Sequence, residues 1–244
     1  MVARRTASAG RGLSYIQWMR VFVSGGTGYL GRSLIPRLLA SGHDVCALAR
    51  PGAESRLAPG CGAIPGNALD ETTFTHAVAG FDAFVHMIGV AHPGPGKDRQ
   101  FREIDQRSLE ASVRAARGRI GNFVYVSVAQ PAPVMKVYQG VRMACEETIR
   151  RAELRANILR PWYVLGPGHR WPYALIPLYN LGEWIPSTRD AAKRLGLVTL
   201  AQMTAALVWA VENPAGGVRI IDVPMIRRIA AMACADAAGH LLKD

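Results

Sequence analysis

The stretch Val21–Gly31, which reads VFVSGGTGYLG, constrains the fold of this chain most strongly. A short apolar run of β type ends in a cluster of glycines, and a helical pattern begins at Tyr29. Two overlapping spacings, G-x-G-x-x-G from Gly26 and G-x-x-G-x-x-G from Gly25, both end at Gly31. Glycines permit a tight turn and let a pyrophosphate approach the free N–H groups of a helix start. The stretch therefore predicts the first βαβ unit of a dinucleotide-binding fold.

Strand and helix patterns alternate along the rest of the chain. The predicted strands are 21–23, 45–49, 61–65, 81–88, 122–128, 157–160 and 218–223. The predicted helices are 29–41, 72–79 with Asp70 as its cap, 97–116 and 136–152, with a strand end and helix over 197–211 and a further helix after Met225. Such alternation predicts an α/β fold with a doubly wound parallel sheet, a Rossmann fold, and a small C-terminal substrate-binding appendage.

Three segments are expected along the chain. Residues 1–18 form a loosely ordered N-terminal extension, residues 19–168 the nucleotide-binding core, and residues 169–244 a small C-terminal part packed on that core. The first segment has arginines and no acidic residue, as in an organelle-targeting leader. Alternatively, it is an upstream extension of the reading frame, because Met19 directly precedes the first strand.

Composition limits the classes of partner. The chain has 244 residues and a formal net charge of +11, which favours anionic ligands. No nucleic-acid-binding module is recognisable, and no apolar run reaches the roughly 18 residues of a membrane-spanning helix. No C-x-x-C pair occurs among the four cysteines, Cys46, Cys61, Cys145 and Cys234. We therefore expect buried thiols in a reducing, cytoplasmic compartment, and we expect no metal site.

The end of the second predicted strand bears on the choice of cofactor. In this type of fold an acidic residue there binds the ribose 2′-hydroxyl of NAD, whereas an arginine accommodates the 2′-phosphate of NADP. Arg50 occupies the position, Arg56 follows closely, and no acid is present. NADP(H) is therefore expected in preference to NAD(H), unless Arg50 is only a surface arginine.

The catalytic candidates come from the fifth strand and the helix that follows. Ser127 lies at the carboxyl end of its strand, where open α/β sheets place their ligands. Tyr138 and Arg142 are four residues apart and share one helix face. A nearby cation favours the phenolate form of a tyrosine, and a serine can hold a substrate oxygen. These three residues predict a carbonyl-reducing site, although Tyr138 also fits an ordinary aromatic residue at the start of a helix. His86, inside the fourth predicted strand, is expected to be a packed core histidine.

These motifs together resemble the short-chain dehydrogenase/reductase superfamily, in its extended and atypical branch of NAD(P)-dependent epimerase/dehydratase-like proteins. The resemblance covers about Met19–Asp222 and depends on SGGTGYLG, FVHMIG, FVYVSV, the Tyr138-x-x-x-Arg142 pair and ILRPWYVLGPG. It implies a serine, tyrosine and lysine beside the nicotinamide, and here Arg142 replaces the lysine. Asp105 stands where extended members often carry asparagine, and Asn67 where many relatives have aspartate near the adenine.

The resemblance leaves two functions open. One is NADP(H)-dependent oxidation or reduction of a carbonyl or alcohol of a small molecule. The other is non-catalytic binding of the nucleotide by a structural or redox-sensing protein with a protein partner, since the atypical branch includes such members. The basic, alanine-rich C-terminal segment also fits a homodimer contact or a membrane surface.

Site residues follow from the motifs and from the resemblance. Gly89 is expected to let the cofactor pass over the sheet edge, and Trp171, Tyr173 and Trp184 fit either a pocket lid or ordinary packing. The residues predicted to contact the cofactor are Gly25, Thr27, Gly28, Tyr29, Leu30, Gly31, Arg50, Asn67, Ala68, Gly89 and Pro161. The residues predicted to be catalytic are Ser127, Tyr138 and Arg142.

Overall fold

Strands and helices alternate along the chain in the computed structural model, which describes residues 18–91, 93–167 and 195–241. The strands are β1 Arg20–Ser24, β2 Asp44–Ala49, β3 Gly62–Pro65, β4 Ala83–His86, β5 Asn122–Val126, β6 Ala156–Leu159, β7 Tyr163–Leu165, β8 Leu197–Thr199 and β9 Val218–Ile221. The helices are α1 Tyr29–Ala40, α2 Thr75–Val78, α3 Asp98–Gln100, α4 Arg107–Ala116, α5 Lys136–Arg151, α6 Leu200–Glu212 and α7 Val223–Leu241. A π-helical segment, Phe101–Gln106, joins α3 to α4.

Seven strands form one parallel sheet in the order β3-β2-β1-β4-β5-β6-β9, and β7 pairs with β8 separately. Central strand β1 pairs on one side with β2, where Val21 faces Val45, and on the other with β4, where Val21 faces Ala83. The chain moves outward from β1 through β2 and β3, then crosses to β4 on the opposite side. This reversal confirms the predicted doubly wound parallel sheet.

Alternate side chains of the central strands enter two hydrophobic layers. Val21 and Val23 of β1 face the layer formed with α1, α6 and α7. Phe22 points to the other layer, with α2, α4 and α5, and its ring centroid lies 4.7 Å from that of Phe84. Phe123 extends this aromatic contact with a centroid distance of 5.3 Å to Phe84. Both faces of the sheet are therefore covered, as parallel sheets require.

Local sequence signals explain where several elements begin and end. Thr199 and Gln202 form a capping box at the start of α6, in which each side chain accepts a backbone N–H of the other residue. Asp70 accepts the amide of Thr72, as expected for a cap, but it caps a 3₁₀ turn, Glu71–Thr73. The predicted helix over 72–79 is therefore wrong in extent, because the backbone changes conformation at Phe74 and α2 is short.

Other differences concern strand ends and thiols. The predicted strand 81–88 is observed only as Ala83–His86, since the apolar residues after His86 leave the sheet as a loop. The helix expected after Met225 is confirmed as α7. Burial of the cysteines is confirmed only for Cys145, because Cys46 and Cys61 are half-buried and Cys234 is exposed. In the described ranges, no helix combines the length and the hydropathy needed to cross a bilayer.

Several expectations lie outside the described residues. They concern nearly all of the N-terminal extension 1–18 and the aromatic residues Trp171, Tyr173 and Trp184. The division of the chain near residue 168 stays a prediction. In the part that is described, β9 extends the main sheet and α6 and α7 cover the same face as α1.

His86 is a packed core histidine, as expected. It is fully buried, and its Nδ1 hydrogen-bonds with the hydroxyls of Ser24 (2.9 Å) and Ser112 (3.0 Å). Burial lowers the pKa of His86 to about 3, and the nearby Arg142 cation contributes to the same shift. The imidazole is therefore neutral in the folded protein at pH values where an unfolded histidine binds a proton.

This depressed pKa predicts loss of stability in mild acid. Below pH about 6.5 the unfolded state takes up a proton that folded His86 does not, so stability falls as pH decreases toward 3. We expect His86→Gln to flatten the dependence of the unfolding free energy on pH between 7 and 5, by up to about 1.4 kcal/mol per pH unit. The measurement is urea unfolding at several pH values.

Exposed His76 provides the control. The His76→Gln variant should keep the slope of the unmutated protein. An unchanged slope in His86→Gln would contradict the assignment of a buried neutral imidazole.

Candidate functional site

The sheet has its switch point between β1 and β4, and the candidate site lies at the carboxyl ends of these strands. There the amide of Met87 donates to the carbonyl of Ser24 at 3.0 Å. A β-carbon on Gly25 would lie 3.1 Å from the backbone of Met87, so the two loops are in close contact. In open α/β sheets ligands bind in the crevice at this place.

The glycine turn after β1 has the geometry that a pyrophosphate needs. Gly25 has φ +90°, a conformation that favours glycine. A β-carbon on Gly31 would collide with the carbonyls of Gly25 and Gly26, so α1 packs directly against the turn. Gly28, the N-cap of α1, supplies no side-chain cap, and the first turn holds no acidic residue. The turn therefore fits an anion at the positive end of the helix.

The remaining predicted residues of this turn have contacts of their own. The carbonyl of Thr27 accepts the Nε–H of Arg32 at 3.0 Å. Leu30 packs at the edge of the core layer on α1. The hydroxyl of Tyr29 lies where a β-carbon of Gly166 would be, so the loop after β7 passes close to the start of α1.

The predicted adenosine side of the site lies at the ends of β2 and β3. Arg50 directly follows β2 and is exposed, as is Arg56 after it. Asn67 is exposed after β3, where its side chain accepts the amide of Leu69 at 3.1 Å, and Ala68 packs at the rim of the other core layer. These residues lie at the same edge of the sheet as the glycine turn, because β1, β2 and β3 are adjacent and parallel.

Tyr138 and Arg142 lie together on α5, as their spacing predicts. The guanidinium carbon of Arg142 is 5.2 Å from the centre of the Tyr138 ring. This ring also contacts Phe101 of the π-helical segment, with a centroid distance of 4.9 Å. The tyrosine is therefore held between an aromatic ring and a cation.

The guanidinium of Arg142 is buried and bound on several sides. It donates to Asp105 Oδ1 at 2.5 Å, to the hydroxyl of Tyr125 at 3.0 Å and to the carbonyl of Val126 at 3.1 Å. Burial opposes its charge, but Tyr125, Tyr138 and Asp105 outweigh this effect and the pKa of Arg142 lies well above its ordinary value. Burial raises the pKa of Asp105, and Arg142 opposes that shift.

Gly89, expected to clear a path for the cofactor, also makes room for this ion pair. A β-carbon on Gly89 would clash with Nη2 of Arg142 and would lie 3.2 Å from Oδ1 of Asp105. The next amide, that of Val90, donates to the second oxygen of Asp105 at 2.9 Å. The ion pair therefore lies directly against the loop after β4.

Ser127 follows β5 as predicted, and its side chain is bound to Glu146. Its hydroxyl donates to Glu146 Oε1 at 2.7 Å. The same carboxylate accepts from Gln130 at 2.8 Å and from two nitrogens of Arg160 at 2.9 and 2.5 Å. The single proton of Ser127 is thus already donated, and the structure brings Tyr138 and Arg142 together without Ser127.

Sequence reasoning gave Glu146 and Arg160 no role, and it gave Asp105 no partner. The side chain of Glu146 is only 1% exposed, and that of Asp105 is fully buried. One signal was present: Glu146 falls on the inner half of α5, beside the buried Cys145 and Ile149. An acidic residue there requires a cation, and Arg160 before Pro161 supplies it. Pro161 is itself buried, and its carbonyl accepts the amide of Ala129 at 2.8 Å.

A pocket of about 680 Å³ opens beside this network, along the outer side of α5. Its walls include the loop residues Gln130 and Pro131, the helix residues Gly140 and Met143, and Arg160. The volume is in the range of pockets that bind small organic molecules. Within the described ranges, no group of three His, Cys, Asp or Glu side chains is arranged to hold a metal ion.

Residues 25–170 match the model of a family described as NAD(P)H-binding. The chain belongs to this family. Its fold agrees with the resemblance of its motifs to the extended and atypical branch of the short-chain dehydrogenase/reductase superfamily.

Two individual relatives have low sequence identity to this chain. The chain is 26% identical to a ceramide reductase of Caulobacter vibrioides over 85% of its own length and 65% of that protein. It is 28% identical to a 2-alkyl-3-oxoalkanoate reductase of Stenotrophomonas maltophilia over 62% of its length and 52% of the relative. The chain thus spans less than two thirds of either relative.

A solved structure has the same fold. The Bordetella bronchiseptica enzyme WbmH in complex with NAD⁺ is 19% identical, with a TM-score of 0.63 over 84% of this chain and 76% of that one. The family of this chain agrees with the glycine turn as a nucleotide-binding element.

The contacts of Glu146 predict a large effect of removing its charge. Glu146→Gln would leave Arg160 without its carboxylate and weaken the bond from Ser127, so we expect a loss of about 2–3 kcal/mol of stability. In a protein of this length that is a decrease of roughly 5–10 °C in Tm. The measurement is thermal unfolding followed by circular dichroism.

Neighbouring Glu147 gives a matched control, because it forms only an exposed ion pair with Arg151. Glu147→Gln should change stability by less than about 0.5 kcal/mol. Equal effects of the two substitutions would mean that the buried network does not stabilise the loop after β5.

Proposed function

We propose that the protein is an NADP(H)-dependent oxidoreductase that interconverts a carbonyl and an alcohol of a small molecule. The observation that carries the proposal is the packing of Tyr138 against the Arg142 cation on α5, beside the carboxyl ends of β4 and β5. The family supplies the nucleotide-binding fold, and the glycine turn fits the pyrophosphate. The cofactor would give or take a hydride when bound.

Three side chains would take part in the proton transfer and in binding the substrate oxygen. Tyr138 would donate a proton to the substrate oxygen during reduction and recover it in the reverse direction. Arg142 would favour the phenolate that forms, because its charge is fixed next to the ring. Ser127 would have to release Glu146 before it could hold a substrate oxygen, so its predicted role depends on a rearrangement.

The names of the relatives favour one class of substrate. The relatives are named as reductases of a ceramide and of a 2-alkyl-3-oxoalkanoate, both of which carry apolar chains. We therefore propose a ketone with an apolar substituent as the first substrate to examine.

Removal of the Tyr138 hydroxyl tests the reaction. NADPH oxidation is measured with a panel of carbonyl compounds that includes 3-oxoalkanoates and other ketones with apolar chains. For any active substrate, Tyr138→Phe should lower kcat by at least about a hundredfold, the lower limit of general acid catalysis. Val137→Ala changes an exposed neighbour and should leave kcat unaltered. Turnover that survives Tyr138→Phe would remove this residue from the mechanism.

Arg50 is expected to determine the choice of cofactor. Its guanidinium can bind a 2′-phosphate in a charge-assisted contact, whereas NADH offers only a hydroxyl. We predict that NADPH binds more tightly than NADH by about tenfold to a hundredfold. Arg50→Ala should remove most of this difference and leave NADH binding nearly unchanged, as measured by calorimetric titration at one salt concentration.

Arg37, exposed at the opposite end of α1, serves as the control for net charge. Arg37→Ala should preserve the preference for NADPH. Equal affinities of the unmutated protein for the two cofactors would refute the role of Arg50.

A second function is favoured by the contacts of Arg142. Its guanidinium is already bound by Asp105, Tyr125 and Val126, as in a structural ion pair. The alternative is a non-catalytic protein that binds NADP(H) as a structural or redox-sensing ligand and presents its basic surface to a partner. Tight cofactor binding without turnover of any panel compound, together with one stable partner recovered from the native host, would favour it.

A further inference from the structure

The ion pair of Arg142 and Asp105 lies beside the crevice with almost no access to water. The side chains of Arg142 and Asp105 are 6% and 0% exposed, and their charged atoms are 2.5 Å apart. Both charged groups lie against Gly89, in the loop that follows β4. The second carboxylate oxygen accepts the amide of Val90 in the same loop. The pair is therefore fixed at one side of the switch point.

Opposite charges at this distance nearly cancel for a group much farther away than their own separation, whereas the Tyr138 ring, which contacts the guanidinium, still lies next to the Arg142 charge. Arg142 alone would produce a positive potential in the crevice, and burial would leave that potential poorly screened. Asp105 removes most of it. His86, which also lies near Arg142, adds no charge because burial keeps its imidazole neutral.

The cancellation matters for a nicotinamide, because the ring is a cation when oxidised and neutral when reduced. We propose that Asp105, by neutralising Arg142, sets the relative affinity of the site for oxidised and reduced dinucleotide. The inference rests on the proposed function, since it takes the nicotinamide to lie at the ends of β4 and β5. Asp105 acts here through Arg142 and is a positioning residue.

The ratio of two dissociation constants isolates this effect. NADP⁺ and NADPH carry the same phosphates, so contacts with the glycine turn and Arg50 cancel in the ratio. Asp105→Asn leaves the Arg142 charge uncompensated and should raise Kd(NADP⁺)/Kd(NADPH) by about threefold to tenfold, from a Coulomb interaction reduced by partial solvation. A purely structural role of Asp105 would weaken both forms equally and leave the ratio unchanged.

Two further variants test the removal of the cation alone and the removal of both charges. Arg142→Gln leaves Asp105 without its cation, and because burial raises the pKa of that carboxyl, the ratio should fall as rising pH ionises it. Asp105→Asn combined with Arg142→Gln removes both charges and should return the ratio to within about twofold of the unmutated protein. Glu103→Gln, at an exposed position in the same π-helical segment, is the control and should not change the ratio.

Calorimetric titration of both nucleotides, after circular dichroism shows that each variant is folded, distinguishes the outcomes. If the unmutated protein binds neither nucleotide, the proposed function fails. If it binds both and Asp105→Asn leaves the ratio unchanged, the inference about Asp105 is overturned while the proposed function stands. If Asp105→Asn does not fold, the Arg142→Gln variant decides, and a ratio that does not fall with rising pH in that variant overturns the inference as well.

Discussion

Close packing of backbone against backbone in the glycine turn determines where the first helix lies on the sheet. A β-carbon on Gly26 would be 2.8 Å from the Ala47 side chain of β2 and 2.9 Å from Ile35 of α1, and one on Gly31 would strike the carbonyls of the turn. Helix α1 therefore begins at the level of the strand ends, without a spacer. The positive end of the helix and the crevice at the switch point consequently meet at one place, which is what an anionic nucleotide requires.

Most of the fold could be predicted because buried parallel strands are short apolar runs separated by helical patterns. Strands β1, β2 and β5 fall within one or two residues of their predicted bounds. The prediction was least accurate where an apolar run continues past the sheet. Met87 and Ile88 continue the apolar pattern of β4, yet they form the loop that contacts Gly25. Loops of this kind form the edge of the sheet at which ligands bind, so an apolar run alone does not show where the strand ends.

The side-chain partners of the candidate site could not be predicted in the same way. Helical spacing brought Tyr138 and Arg142 together, since the two residues are one turn apart. Ser127 and Glu146 are 19 residues apart, and Asp105 and Arg142 are 37 apart. Hydrogen bonds at such separations depend on how elements pack, and the periodicity of a single element carries no information about them.

Helix α5 separates two buried polar clusters that sequence reasoning had treated as one site. Tyr138 and Arg142 face the π-helical segment, while Gln139 and Glu146 face the loop after β5. A single serine–tyrosine–cation arrangement would need Ser127 on the first side, and in the structure it is bound on the second. We therefore expect Tyr138 to hydrogen-bond the substrate oxygen, and Ser127 to do so only after its hydroxyl has left Glu146.

The replacement of lysine by Arg142 is understood only together with Asp105. A lysine ammonium is a compact point charge, whereas a guanidinium presents several N–H groups in a rigid plane. Arg142 uses that plane to reach a carboxylate, a phenol oxygen and a backbone carbonyl in different directions. Such a cation tolerates burial because both of its terminal nitrogens donate hydrogen bonds, and it requires an anion there because an unpaired buried charge is strongly destabilising. Asp105 and the missing side chain of Gly89 are thus the conditions under which an arginine can occupy this position.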